Sequence, residues 1–116
     1  MPFGMGVLKP VPALRRETRV PIEVAVRIAG NLDLPGTETT FTDNVSSTGA
    51  RVFSVRPWKT NDRLTIATVT GSFRSVARVA YCQVVPESGY AVGLEFINPS
   101  GNWVVGQSGA SRLMRA

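Results

Sequence analysis

Hydrophobic and polar residues alternate along several short segments of the chain, and the alternation is clearest from Pro21 onward. A period of two is typical of a β-strand that buries one face and exposes the other. The pattern therefore predicts a first strand that begins near Pro21. Its buried face would carry Ile22, Val24, Val26 and Ile28.

Five further segments have strand character, because β-branched or alternating apolar residues are bounded in them by Gly, Pro and Asn turns. They cover residues 37–45, 50–55, 63–69 and 72–84, and a last strand in which Tyr90, Val92, Leu94 and Phe96 alternate. Residues 46–49 are predicted to turn the chain between the second and third strands. No segment shows a convincing helical period. Six short strands at this spacing predict an all-β fold, a small six-stranded antiparallel β-barrel.

The two ends of the chain lack this pattern. Residues 1–14 contain three prolines and are predicted to form a flexible N-terminal lead-in. Residues 98–116 are rich in glycine and serine and are predicted to form a flexible C-terminal tail, in which residues 103–105 could dock as a short turn. The barrel domain is accordingly placed at residues 15–97. A chain of 116 residues has room for one such core.

The charge of the chain is positive and is carried by arginine. Thirteen Lys and Arg residues oppose eight Asp and Glu, and eleven of the thirteen are arginine, whose planar fork suits phosphate and flat rings. The charge is consistent with an anionic partner. It is equally consistent with a basic surface that only keeps the domain soluble.

Composition disfavours several classes of function. The chain has no histidine and a single cysteine, Cys82, so it lacks a usual general base, an internal disulfide and a zinc-binding cluster. We therefore expect no enzyme, no cofactor and no metal. The first eight residues do not resemble a signal peptide, and no run of 18 apolar residues occurs. We expect a cytoplasmic protein that does not insert into a membrane.

Two short polar motifs carry most of the functional information. Arg15 and Arg19 form an RxxxR pattern ahead of the first strand, and Asn44, Ser46 and Gly49 form an NxSxxG pattern after the second. In this order and spacing, the two motifs resemble those of the PilZ family, over about residues 15–97. The resemblance implies a receptor that binds the bacterial second messenger cyclic di-GMP and relays the signal by conformational change to a downstream protein partner.

The motif residues have the chemistry that such a ligand needs. Arg15 and Arg19 could bind phosphate bidentately or contact guanine, and Arg16 between them is a less certain candidate. Asn44 and Ser46 offer donors and acceptors, and Gly49 permits a positive φ and a close backbone approach. Asn and Ser at these positions could also simply cap a hairpin turn.

Because side chains alternate along a strand, Asp43 is expected to face away from Asn44. Arg51, Arg74 and Arg78 could extend the basic surface, whereas Trp58 and Tyr81 are interpreted as packing or partner-contact residues.

Two other functions remain open. A PilZ-like domain that does not bind nucleotide could serve as a protein interaction module, although the complete arginine motif argues against this. A barrel that binds single-stranded nucleic acid is compatible with the charge, but the strands lack the row of exposed aromatic residues on which bases stack. Nucleic acid is therefore the weaker of the two alternatives.

Overall fold

The computed structural model describes residues 18–31 and 35–105. Within them the chain forms six β-strands and no helix. The predictions for residues 1–17, which include Arg15 and Arg16, and for residues 106–116 lie outside the described residues. The strands are β1 (Ala25–Ala29), β2 (Thr37–Val45), β3 (Gly49–Ser54), β4 (Arg63–Thr68), β5 (Arg74–Val85) and β6 (Gly89–Ser100).

The strands close into an antiparallel barrel in the order β1-β2-β3-β6-β5-β4, which confirms the predicted fold. Hairpins join β1 to β2, β2 to β3, β4 to β5 and β5 to β6, and the β3–β4 connection crosses between strands that are not neighbours. Closure occurs because β4 pairs with β1, Ala67 lying opposite Arg27. Each of the six described strands is thereby paired on both sides.

Alternate residues of the strands point into the barrel and form its core. Their side chains are almost completely buried, as the sequence pattern predicts for one face of each strand. At about 25 cal/mol per Å² of apolar surface, this burial is the main stabilising contribution. The largest of the fully buried apolar residues, which include Phe73 just before β5, are Phe73, Ile28, Ile66, Val26, Val45, Val52, Val79 and Val92.

The first strand is shorter than predicted, and the reason is a side chain of β2. The hydroxyl of Thr42, which is fully buried, accepts a hydrogen bond from the Val24 backbone N–H at 2.9 Å and donates one to the Ile22 carbonyl at 2.7 Å. Residues 22–24 therefore bond partly to a side chain instead of a regular ladder. Ile22 is 37% exposed, so its predicted place on the buried face was wrong.

Two tryptophans outside the strands complete the core near opposite ends of β3. Trp58, in the β3–β4 loop, is buried and its indole N–H donates to the Ser54 hydroxyl at 3.1 Å. Trp103, beyond the last strand, is buried and donates to the Ser46 carbonyl at 2.8 Å. The last strand continues to Ser100, three residues past the predicted limit, so the ordered barrel reaches beyond residue 97.

Candidate functional site

Arg19 of the first motif meets the second motif where the chain enters the barrel. Val20 and Val45 exchange two backbone hydrogen bonds, of 2.8 and 2.9 Å, which fasten the segment before β1 to the end of β2. This pairing brings the Arg19 guanidinium beside Asn44, and Arg19 Nη1 donates to Asn44 Oδ1 at 2.8 Å. Arg19 is exposed and Asn44 half-buried. Residues that are 25 positions apart in sequence thus share one polar contact.

The turn after Asn44 is held by its own backbone and by the segment that follows the last strand. The Ser46 N–H donates to the Gly49 carbonyl at 2.9 Å, and the Ser46 hydroxyl accepts from the Thr48 N–H at 3.3 Å. Ser46 is fully buried. In this structure the Ser46 side chain therefore shapes the turn, as the hairpin-cap interpretation allows, and its carbonyl is anchored by Trp103.

Gly49 is required by space and not by backbone conformation. Its φ does not lie in the positive region that glycine allows, so that part of the expectation was wrong. A Cβ at this position would run into the Leu94 carbonyl oxygen on β6. The close approach lets β3 and β6 pair tightly directly beside the turn.

A row of four residues crosses the outer wall of the barrel next to this turn. Asn44 of β2 lies opposite Arg51 of β3, Arg51 opposite Gly93 of β6, and Gly93 opposite Tyr81 of β5. With neighbouring strands about 4.8 Å apart, the row spans about 14 Å. The Tyr81 ring lies over Gly93, where a Cβ would collide with it. The row therefore offers an amide, a guanidinium and an aromatic ring side by side.

A small cleft of about 110 Å³ opens beside this row. Both motifs contribute to it, through Arg19 on one side and the 46–49 turn on the other. Residues of β5 and β6 supply the remaining wall, so the cleft depends on the pairing of β3 with β6 and of β6 with β5. Its lining residues are Arg19, Ser46, Thr48, Gly49, Ala80, Tyr81, Gly93, Leu94 and Glu95.

Two arginines near the cleft are held by acidic residues. Arg78 Nε and Nη2 both contact Glu95 Oε1 at 2.9 Å, and Arg78 Nη1 donates to Asn61 Oδ1 at 2.8 Å. Arg78 is thus engaged and does not add a free charge to the cleft. Arg51 Nε lies 3.7 Å from Asp43 Oδ2, too far for a hydrogen bond, and is buried without a hydrogen-bond partner.

The contact between Asp43 and Arg51 corrects one expectation. Strict alternation would turn Asp43 away from its neighbour, but the β2–β3 register shifts between Thr42 and Asn44, which makes Asp43 the extra residue of a β-bulge. Its carboxylate consequently reaches Arg51 on the outer wall.

Tyr81 is the cleft residue that sequence reasoning missed. The sequence favours a packing or partner-contact role for it, because a single aromatic residue in a strand carries little information. Gly93 is the available signal, since a glycine inside a strand marks a close approach. Which side chain approaches Gly93 depends on the β5–β6 register, and that register shifts between Val79 and Tyr81.

Other kinds of site are not found in the part of the chain that the structure describes. No group of three or more His, Cys, Asp or Glu residues in it is placed to hold a metal ion. Nor do residues 18–31 and 35–105 contain a helix that is long and apolar enough to cross a bilayer.

The fold and the cleft together define a small antiparallel barrel domain with a polar, arginine-edged cleft on its outer wall. The sequence profile of the PilZ domain matches residues 13–102, and the chain therefore belongs to the PilZ family. This confirms the resemblance carried by the two motifs. The family is associated with cyclic di-GMP as its ligand and comprises receptor and interaction domains.

A solved structure shares the fold. It is described as the Bacillus subtilis inhibitor of motility (MotI/DgrA), which superimposes with a TM-score of 0.60 at 16% sequence identity. The match covers 74% of this chain and 43% of the other, so this chain spans less than half of that protein. No curated protein matches the chain significantly in sequence.

Proposed function

We propose that the chain is a cytoplasmic cyclic di-GMP receptor whose ligand occupies the cleft and the adjoining row on β2, β3, β6 and β5. The observation that carries the proposal is the Arg19–Asn44 contact, which joins the two motifs at the edge of a polar cleft. On this proposal, bound nucleotide changes the shape or surface of this wall, and a partner protein recognises the change.

On this proposal, each motif residue contacts a different part of the ligand according to its charge and its hydrogen-bonding groups. Arg19 binds a ligand phosphate together with Arg15, which completes the motif, and Arg16 between them is a further candidate contact. Asn44 releases Arg19 on binding and presents its amide to the polar edge of a guanine. The turn from Ser46 to Gly49 positions Asn44 and allows close approach of the ligand.

Two residues of the outer row extend the site beyond the motifs. The Tyr81 ring offers a flat surface on which a guanine can stack, a contact worth about 1–3 kcal/mol per base in comparable sites. Arg51 lies in the row between Asn44 and Gly93, and its guanidinium, with Nε 3.7 Å from Asp43 Oδ2, is a further candidate contact. Because Arg78 neutralises Glu95, the carboxylate on the cleft wall does not repel a phosphate strongly.

Calorimetric titration with cyclic di-GMP tests the proposal, with GMP and GTP as comparison ligands. We expect cyclic di-GMP to bind preferentially and Arg19→Ala to weaken binding at least tenfold, since removing one partner of a charged contact to ligand costs roughly 2–5 kcal/mol. Arg27→Ala is the matched control, because Arg27 is also an exposed arginine but lies on β1, across the barrel from Gly93. Equal affinities of the two folded variants would refute the site.

A second function is favoured by the size of the cleft. Pockets for drug-sized ligands usually enclose roughly 300–1,000 Å³, whereas this cleft has about 110 Å³. A domain that no longer binds nucleotide and serves as a protein interaction module would need no larger space. Suppose that no binding is detected at cyclic di-GMP concentrations up to roughly 100 μM. The affinity is then weaker than a micromolar dissociation constant, which corresponds to a binding free energy of about −8 kcal/mol. That result would favour the interaction-module function.

A further inference from the structure

The barrel wall formed by β1, β4 and the first half of β5 carries a second group of arginines, away from the cleft. Arg27 of β1 lies opposite Ala67 of β4, and Ala67 lies opposite Arg74 of β5. Two strand spacings separate the arginines, which places their backbones about 10 Å apart. Arg63 on β4 is exposed on the same wall. We call this wall the arginine face: Ala25, Arg27, Ala29, Arg63, Thr65, Ala67, Val69, Arg74 and Val76.

These arginines differ from those near the cleft because they have no acidic partner. Among the described residues, the side chains of Arg27, Arg63 and Arg74 form no ion pair and no hydrogen bond. The arginine face itself contains no Asp or Glu. By contrast, Arg51 and Arg78 each have a carboxylate beside them. The acidic residues are thus distributed so that one wall keeps its positive charge unpaired.

Exposed apolar side chains flank the arginine row on both sides. On one side, Phe41 of β2 lies opposite Ala25 and is 52% exposed. On the β4 side of Ala25, Val69 is also exposed, and its backbone N–H donates a hydrogen bond to the Ala25 carbonyl. On the other side, Val76 lies opposite Thr65 and is 41% exposed. Arginine and aromatic residues are enriched at protein interfaces.

We propose that the arginine face docks an acidic segment of a partner protein, with carboxylates on Arg27 and Arg74 and apolar side chains against Phe41 and Val69. The unpaired positive charge of the arginine face attracts an anionic partner. The exposed apolar side chains are best buried against a partner that also has an apolar surface. Arg binds carboxylates bidentately, which gives such docking a preferred geometry.

Other occupants fit less well. Affinity for duplex nucleic acid comes largely from Lys and Arg contacts to phosphates, and three free arginines beside exposed Phe and Val supply few of them. A second copy of this chain is also a poor match. Of its six described carboxylates, only Glu23 and Glu87 are exposed without a partner. The other four are engaged: Glu38 with Ser54 and Val55, Asp43 with Arg51, Asp62 with the Lys59 N–H, and Glu95 with Arg78.

The arginine face is separate from the nucleotide cleft. In the closed order of strands, β1 lies across the barrel from β6, and β4 lies across from β3. Both surfaces include part of β5, but Arg74 and Val76 lie at its start and Tyr81 lies five residues beyond Val76, past the irregularity in the β5–β6 register. A partner on this face would leave Arg19, Asn44 and Tyr81 uncovered. The inference therefore stands without nucleotide binding, and its test is carried out without nucleotide.

A displayed library of random peptides, selected on the immobilised full chain at low salt, supplies the test. We expect enriched peptides to be rich in Asp and Glu and to contain apolar residues. Synthetic copies should lose about tenfold or more in affinity for Arg27→Glu and for Arg74→Glu. Lys59→Glu is the matched control, since it makes the same charge change at an exposed position in the β3–β4 loop and should keep wild-type affinity.

Amide chemical shifts locate the bound peptide and show that each variant is folded. Shifts confined to residues 25–29, 63–69 and 74–76 and to Phe41 support the proposal. Enriched peptides without an acidic excess, equal affinities of Arg74→Glu and Lys59→Glu, or shifts at Asn44 and Tyr81 instead would overturn it. Duplex DNA and phosphatidylglycerol vesicles are tested in parallel. If either binds in an Arg74-dependent manner while no acidic peptide does, the face belongs to that ligand and the proposal is wrong.

Discussion

A Cβ atom at Gly49 or at Gly93 would collide with a neighbouring group, but the neighbouring group is a backbone atom at Gly49 and a side chain at Gly93. At Gly49 the obstacle is the backbone carbonyl of Leu94, which is part of the β3–β6 pairing. At Gly93 the obstacle is the Tyr81 ring, a side chain on the outer wall. A backbone atom in a closed barrel cannot move without disturbing the sheet, whereas a ring at the surface can adopt another rotamer.

The consequence is a difference between two alanine variants. We expect Gly49→Ala to lower the free energy of unfolding by about 1–3 kcal/mol, the usual cost of overpacking, and Gly93→Ala to lower it by less. Urea unfolding of both variants measures the difference. The cost of Gly93→Ala should also shrink in a Tyr81→Ala background, because the collision is then removed. Equal losses for the two glycine variants would contradict this account.

Cys82 offers a chemical test at a single side chain. Burial raises the pKa of its thiol, while a hydrogen bond with the Trp58 backbone acts in the opposite direction with a smaller effect. Less thiolate is therefore present near pH 8 in the folded chain than in the unfolded chain, and only the thiolate reacts. We expect a disulfide reagent such as DTNB to label Cys82 more slowly in native buffer than in urea. The same rate in both conditions would show that the thiol is not protected.

The segment that follows β6 connects the end of the barrel to the motif turn. Trp103 packs on Phe73 and Phe96, with ring centroids 4.6 and 5.0 Å away, and its indole N–H reaches the Ser46 carbonyl. Pairs of this kind add about 0.5–1.5 kcal/mol beyond the burial of surface. One side chain thus ties the last part of the described chain to the turn that carries the second motif.

Two substitutions separate the contributions of Trp103. We expect Trp103→Phe, which keeps an aromatic ring but loses the hydrogen bond, to cost about 1–3 kcal/mol of stability. Trp103→Ala should cost more, about 3–5 kcal/mol, because it also leaves a cavity. Denaturant unfolding gives both values, and the amide shifts of residues 46–49 should change in both variants. A Phe variant as stable as the wild type, with unchanged shifts in the turn, would show that the hydrogen bond has no structural role.

The barrel as a body presents two different walls to its surroundings. One carries the cleft and the row from Asn44 to Tyr81, where arginines are matched by Asn or carboxylate groups. The other carries unpaired arginines among exposed apolar side chains. Because the two walls share no residue, substitutions on them should have independent effects.

We therefore expect a crossed pattern of affinities. Arg19→Ala should weaken cyclic di-GMP binding at least tenfold and leave the affinity of a selected acidic peptide within about twofold, and Arg74→Glu should do the reverse. Calorimetry on both variants with both ligands measures this. If nucleotide alters peptide affinity in the wild type, linkage requires that peptide alter nucleotide affinity by the same factor. A loss of both ligands in Arg19→Ala, with the chain folded, would indicate a single shared surface.

The number and type of strands can be predicted from the sequence. Alternation with period two is a local property, and each short turn has its own Gly, Pro or Asn signal, so the predicted bounds of β2 are those it has in the structure. Six such strands in succession favour a small barrel, and the β1–β4 pairing closes it. The two polar motifs are likewise recognisable in the amino-acid sequence, because they occupy fixed positions next to the strands.

What could not be predicted depends on how strands are matched to one another. The Thr42 hydroxyl forms hydrogen bonds with the backbone of residues 22–24, and β1 is therefore shorter than predicted. A β-bulge places Asp43 beside Arg51. A register shift places the Tyr81 ring over Gly93. Register and bulges are set by pairing between distant segments, and a shift of one residue changes which face a side chain occupies. The sequence alone thus determined the strands and the motif residues. Folding of the closed barrel decided which side chains meet, since partners such as Arg19 and Asn44, 25 residues apart, are brought together by the whole sheet.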